Sequence, residues 1–183
     1  MANVNFPQGL TPVNMPYGNV RCRLYNVTDA GTALYIGDPV ALDGSGLIIR
    51  TTEGAGNYLC GAVIGLYDSS KAPLATLTDA TVGYALVADD PNQQFLIQED
   101  AEGTALTTAD VAMNADLLYA AANTFRNRSG FQLDASSVTT STNAQLRILA
   151  LQDIEGNTVG DYAKWIVKIN YHQQLTEEGG DSI

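Results

Sequence analysis

Tyr162-Ala163-Lys164-Trp165-Ile166-Val167-Lys168-Ile169-Asn170-Tyr171 decides the fold class. Ala163, Trp165, Val167, Ile169 and Tyr171 fall on one side of an extended chain, and Lys164, Lys168, Asn170 and His172 on the other. Successive side chains of a strand point to opposite faces, so this period of two marks a half-buried β-strand. The rest of the chain repeats the theme in shorter pieces. Long helical periodicity is nearly absent, and strand-like runs alternate with Gly, Asn and Asp turns, the pattern of an all-β domain. Residues 21–27, 81–88, 93–98 and 146–151 read as further strands, and 116–120 as a short one. Residues 39–51 read as a hairpin turning at Asp43-Gly44-Ser45-Gly46, with two glycines available for positive φ. Residues 58–67 are apolar on both faces, as in a strand buried on both sides. Gly61 and Gly65 within that run predict a bulge or a close backbone approach. Residues 68–80 read as a loop or peripheral segment. Thr107 is placed to cap the one expected helix, of one or two turns through Met113. The expectation is a mainly β chain, a compact β-sandwich or barrel-like domain with one short helix.

Residues 1–20 form a separate region, an extended Pro-rich N-terminal arm. Pro7, Pro12 and Pro16 each remove a backbone donor and bias the preceding residue toward extended geometry. Such an arm reaches up to about 65 Å. Phe6, Leu10, Val13, Met15 and Tyr17 are spaced along it as apolar anchors, which suits an arm lying across a surface, its own or a neighbour's. Residues 21–173 make the β-rich core domain. Residues 174–183 make an acidic tail, expected to be flexible, with Glu177, Glu178 and Asp181.

Charge and composition narrow the function classes. The 183 residues carry nine Lys+Arg against twenty Asp+Glu, a formal charge of −11. No surplus of cations exists to displace counterions from phosphates, which argues against nucleic-acid partners. The same deficit argues against a polybasic membrane contact, and no apolar run approaches a membrane span. The first seven residues lack the charged and apolar regions of a signal peptide. Cys22 and Cys60 are far apart in sequence, and His172 is the one histidine. A thiolate zinc cluster or His-rich metal site is not expected. Cys60 reads as a small buried hydrophobe, and a Cys22–Cys60 disulfide requires their two strands to pair.

Candidate chemistry is thin. A nucleophile needs a base, and His172 lies beside the tail, on the polar side of the last strand, where it reads as a surface or interface histidine. Asp89, Asp90, Glu99, Asp100 and Glu102 cluster in sequence. If 95–98 pairs with 81–88 as a hairpin, Asp89 and Glu99 lie about 20 Å apart along a strand. A glycosidase needs its two carboxyls within about 5–9.5 Å. Ca²⁺ at 99–102 matches no EF-hand spacing. The glycine-rich Gly44-Ser45-Gly46 precedes a strand and lacks the Lys of a phosphate loop. No cofactor is expected, and the residues describe a binding or structural module rather than an enzyme.

Several stretches, taken in order, resemble one family. They are Phe6-Pro7-Gln8-Gly9-Leu10-Thr11-Pro12-Val13, Leu34-Tyr35-Ile36-Gly37-Asp38-Pro39-Val40-Ala41-Leu42 and Cys60-Gly61-Ala62-Val63-Ile64-Gly65. The set continues with Leu86-Val87-Ala88-Asp89-Asp90-Pro91, Phe95-Leu96-Ile97-Gln98-Glu99-Asp100 and Asp110-Val111-Ala112-Met113-Asn114-Ala115-Asp116. It closes with Ser129-Gly130-Phe131-Gln132-Leu133-Asp134, Leu146-Arg147-Ile148-Leu149, Asn157-Thr158-Val159-Gly160-Asp161-Tyr162-Ala163-Lys164-Trp165 and Ile169-Asn170-Tyr171-His172-Gln173. Together they resemble the head decoration, or capsid cement, proteins of tailed bacteriophages. The resemblance implies a structural virion protein, made in the host cytoplasm, that binds the outer capsid surface as a homotrimer. Its partners would be the major capsid protein and itself. The acidic charge suits the outer face, since packaged DNA meets the inner one. Phe6, Leu10, Val13, Met15 and Tyr17 are then the expected capsid or protomer contacts. The alternative is a virion-displayed module for host-surface glycan, with Tyr67, Tyr119 and Phe125 stacking on sugar rings.

Overall fold

The computed structural model describes residues 3–13, 18–27, 32–78 and 82–175. In chain order the strands are β1 (Thr11–Pro12), β2 (Cys22–Val27), β3 (Leu34–Tyr35), β4 (Pro39–Leu42), β5 (Ile48–Arg50), β6 (Gly61–Asp68), β7 (Pro73–Leu74) and β8 (Thr76–Leu77). They continue as β9 (Gly83–Ala88), β10 (Gln94–Gln98), β11 (Asn114–Ala115), β12 (Leu117–Tyr119), β13 (Phe131–Leu133), β14 (Leu146–Leu151) and β15 (Lys164–Ile169). The first sheet runs β1-β10-β15-β14-β11, and the second runs β2-β9-β6-β4-β5. All strand pairs in both are antiparallel. The end strands β2 and β5 approach each other, so the second sheet curls toward a barrel. Two short pairs, β12-β13 and β3-β8, complete the fold.

The expected period-2 strand is β15. Ala163, Trp165, Val167 and Ile169 are all buried, with β10 on one flank and β14 on the other. These side chains join Phe95, Ile97, Leu146, Ile148, Phe131 and Leu133 in one hydrophobic cluster. A second cluster fills the curled sheet with Val27, Val40, Ile48, Val63, Leu66, Ala85 and Val87. Strands β6 and β9 contribute to both. Ala62 and Ala88 face the first cluster, while Val63 and Val87 face the second. This accounts for the two apolar faces of 58–67. The pairing register shifts between Val63 and Gly65, so Ile64 is the extra residue of a bulge. After the bulge Leu66, three residues from Val63, again faces the second cluster. Gly61 is required for contact: a Cβ there would overlap the Ala88 carbonyl oxygen across the strand pair.

The 39–51 hairpin is present, with Val40 opposite Arg50 and Leu42 opposite Ile48. Gly46 takes the positive φ of 76° in its turn. Other expectations are corrected. Residues 81–88 and 93–98 do not form a hairpin. β9 pairs with β2 and β6, whereas β10 pairs with β15 and β1, so Asp89–Gln93 carries the chain from one sheet to the other. Of the expected loop at 68–80, the described part, 68–78, is not peripheral, since β7 folds back on β6, β8 pairs with β3, and Leu77 is buried in the second cluster. The expected helix is a single 3-10 turn, Thr108–Asp110, and no α-helix occurs among the described residues. Thr107 caps it as expected, with a reciprocal bond to Asp110. It stops because Ala112 N–H donates to the Ile148 carbonyl and Met113 accepts from Ile148 N–H, which pulls the chain into the sheet.

A Gly61→Ala substitution is expected to destabilise the fold by about 2 kcal/mol or more, because backbone must move on both sides of a shared strand pair. Chemical denaturation checks this. A loss within about 0.5 kcal/mol of wild type would show that the strands have room to part.

Candidate functional site

The arm lies on its own domain rather than away from it. Asn3 anchors the far end, its Nδ2 donating to the carbonyls of Thr158 (2.8 Å) and Asp161 (3.0 Å). The Gln98 amide then clasps the backbone. Its Oε1 accepts from Phe6 N–H at 2.7 Å, and its Nε2 donates to the carbonyls of Val4 (2.8 Å) and Tyr162 (2.9 Å). The Arg126 guanidinium sits 4.4 Å above the Phe6 ring. Next, the arm crosses the loop before β4 so closely that Gly9 and Gly37 leave no room for a Cβ, and both have positive φ. Leu10 N–H donates to the Gly37 carbonyl at 2.9 Å, and its side chain enters the first cluster. Thr11 and Pro12 then pair with Leu96 and Phe95. Val13 N–H donates to Gln94, and the Gln93 amide donates back to the Val13 carbonyl at 2.7 Å.

The proposed anchors therefore divide. Leu10 is fully buried in its own core and is withdrawn as a capsid or protomer contact. Phe6 and Val13 are half-buried along the docked arm, and exposed Val4 lies beside Phe6. Met15 and Tyr17 lie outside the described residues. Between the arm and the loop before β15 runs an open groove of about 400 Å³, lined among others by Val4, Phe6, Ile154, Tyr162 and Lys164. The sequence could not show this groove, because its walls come from segments about 150 residues apart.

The carboxylates the sequence singled out are mostly buried. Asp89 accepts from Tyr25 Oη–H at 2.6 Å and pairs with Arg23 at 3.1 Å. Glu99 Oε2 accepts from Leu106 N–H (3.2 Å) and Trp165 Nε1–H (3.1 Å). Burial pushes its carboxyl up to about 7, although these bonds pull the other way. Burial likewise raises Asp38 to about 6, and it raises Asp100. Asp89 and Glu99 are separated by β10, roughly 16 Å of extended chain, and form no pair around a cleft.

His172 is corrected from a surface position to a buried one. Its backbone bridges to Leu59, and its Nδ1 accepts from Gln174 N–H at 3.1 Å. Burial lowers its pKa, opposed by Asp89. The fold thus gathers Tyr25, Cys60, Asp89 and His172, which no spacing in the sequence announced. Burial pushes the Cys60 thiol up to about 11, the reverse of what a nucleophilic thiolate needs, and Cys60 is fully buried. Cys22 and Cys60 are both free thiols. Among the described residues no three His, Cys, Asp or Glu side chains converge to hold a metal ion, at 99–102 or elsewhere. Tyr119 sits under Arg50 and against Phe131, Tyr67 lies in the second sheet, and Phe125 is 92% exposed. No ring contact joins these three among the described residues.

No family model, curated protein or solved structure matches this chain.

Two outcomes follow from this geometry. Leu10→Ala is expected to cost about 2–5 kcal/mol in denaturant unfolding, because the arm fills the core. A cost below about 1 kcal/mol would mean that the arm is not part of the folded unit. Glu99 is expected to make stability fall as pH rises. The folded chain holds its proton up to about pH 7, whereas an ordinary glutamate releases it near 4.5. That contribution is complete below about pH 4.5 and is lost as pH rises through about 7. His172, with its lowered pKa, acts in the opposite sense below about 6.5. Comparing Glu99→Gln with wild type isolates the carboxyl: between pH 4.5 and 8 the wild type should lose more stability, by up to about 3 kcal/mol. Parallel pH profiles for the two proteins would contradict the assignment.

Proposed function

We propose that the chain is a structural virion protein that binds the outer surface of a bacteriophage capsid and cements contacts between major capsid protein subunits. The observation that carries the reading is the arm. Residues 3–13 are fixed to the domain by hydrogen bonds along much of their length, and Thr11 and Pro12 pair with β10 at the edge of the first sheet, which leaves a firmly held arm beside an open groove rather than an enclosed cleft. The ordered set of motifs resembling decoration proteins supports the same reading, as does the −11 charge, suited to the face away from DNA. The site is then an interface. Phe6, Val13 and exposed Val4 meet the capsid or an adjacent protomer of a homotrimer, while Leu10 holds the arm in place from inside. Many copies on one shell make each weak contact count through effective concentration.

Co-sedimentation with mature shells of its phage that lack the protein tests this. Saturable binding is expected, at a copy number set by the shell's symmetry. Deleting residues 1–6, which leaves Leu10, should keep the core folded and weaken binding. Absence of saturable binding by the whole chain would sink the reading, and undiminished binding after the deletion would take the arm's end out of the interface.

A further inference from the structure

The twenty carboxylates of this chain are distributed unevenly. The five strands of the first sheet contain none, yet they hold three of the nine cations, Arg147, Lys164 and Lys168. The pairing register places all three on the face opposite the hydrophobic cluster. Lys168 lies directly across from Arg147, and Lys164 across from Gln98. Between them runs an apolar row in which Ile166 is paired with Leu96 on one side and Ala150 on the other. The three cations and Leu96, Ala150 and Ile166 are all half-buried, as when long cations cover apolar surface with their stems and keep their heads in water. Elsewhere cations are mostly engaged: Arg23 pairs with Asp89, while Arg50, Lys71 and Arg126 cover aromatic rings. Arg147, Lys164 and Lys168 have no ion pair and no ring contact among the described residues. Like charges set directly opposite on neighbouring strands destabilise a sheet. Arg147 and Lys168 bear that cost in a chain rich in carboxylates that would relieve it.

We propose that this outer face of the first sheet is the docking face for the capsid subunit, and that the subunit meets it with carboxylates around an apolar centre. The inference rests on the capsid-binding reading and names the surface that performs it. An apolar middle with charge at its margin is the anatomy of a protein interface. The arm frames this face, since Thr11 pairs with Leu96 and Gln98 clasps residues 4–6 at the Lys164 end. Other occupants fit less well. A second copy stacked face to face would set cations against cations. Nucleic acid would find no aromatic platform here and would meet a strongly acidic molecule.

The test uses DNA-emptied shells lacking the protein, with wild type, Arg147→Glu and Arg147→Glu/Lys164→Glu compared at low and high salt. Wild-type binding should weaken as salt rises. Arg147→Glu puts a carboxylate opposite Lys168, so it should melt at or above the wild-type temperature while binding less tightly. The double variant should lose at least about tenfold in affinity, as facing like charges do at interfaces. Gain of stability with loss of binding is a pairing that a merely structural role does not produce. Unchanged shell binding by folded variants would overturn the docking face and leave the capsid reading standing. Failure of the wild type to bind shells would overturn both. If the reversals instead change the oligomeric mass of the free protein, or abolish duplex-DNA binding while sparing shells, the face belongs to a second copy or a polyanion and the proposal fails.

Discussion

Along β6 and β9 the buried side chains divide between two hydrophobic clusters, one on each side of the strand pair. Ala62 and Ala88 close the cluster under the first sheet, and Val63, Leu66, Ala85 and Val87 fill the curled second sheet. One strand pair therefore serves as the common wall of two cores. Burial of apolar area on both faces stabilises that wall strongly, but it also removes the freedom to adjust. The pair closes only because Gly61 admits the Ala88 carbonyl and because the bulge at Ile64 rephases the side chains. Pro39 and Val40 then pair with Ala62 and Gly61, which fixes the loop carrying Gly37. The arm crosses at Gly37, so the path of residues 8–12 is set by a strand pair far from it in sequence.

That chain of dependence explains why the arm belongs to the fold. Its backbone donors and acceptors are met by the Gln98 and Gln93 side chains and by the Gly37 and Gln94 carbonyls. Gln98 is itself buried between the arm and Tyr162. An arm held by polar bonds at its ends and by one buried leucine in its middle is rigid where it frames the sheet, and that rigidity lowers the ordering cost of any contact made through it.

Much of the architecture was legible where a local pattern and the tertiary outcome agree. The alternation at 162–171, the two-sided run at 58–67 with its glycines, and the turn at Asp43–Gly46 each carry their own cause. The failures have a common source. Asp89-Asp90-Pro91-Asn92 signals a turn with equal force whether the next strand returns beside β9 or departs to another sheet, and nothing local chooses between them. Leu77 and Leu10 sit in short, Pro-containing segments with no sustained period, so only their partners reveal their burial. His172 looked exposed because its own strand phase points outward; it is buried where its backbone bridges to Leu59, more than a hundred residues away. The groove beside Phe6 and the unpaired cations were invisible for the same reason, since strand register decides which side chains share a face.

The charge pattern ties these levels together. Several carboxylates are drawn into the interior, where Asp89 finds Arg23 and Tyr25, and where Glu99 finds Trp165. Others occupy turns such as Asp43, Asp68, Asp90 and Asp134, where their oxygens cap backbone N–H groups. Both uses keep acid off the strands of the first sheet. The strands that build this surface are also those whose opposite side carries Trp165, Phe95 and Val167, so burial opposes any slip that would separate Arg147 from Lys168, and the ladder shifts register only beyond that pair, between Ile148 and Ala150. A sheet this firmly registered by its core holds two cations in opposition at a fixed spacing. In a molecule of net −11, such a face is a local minimum of negative charge. A partner presenting carboxylates would be oriented before contact, because the acidic remainder of the surface would repel the groups that this face would attract.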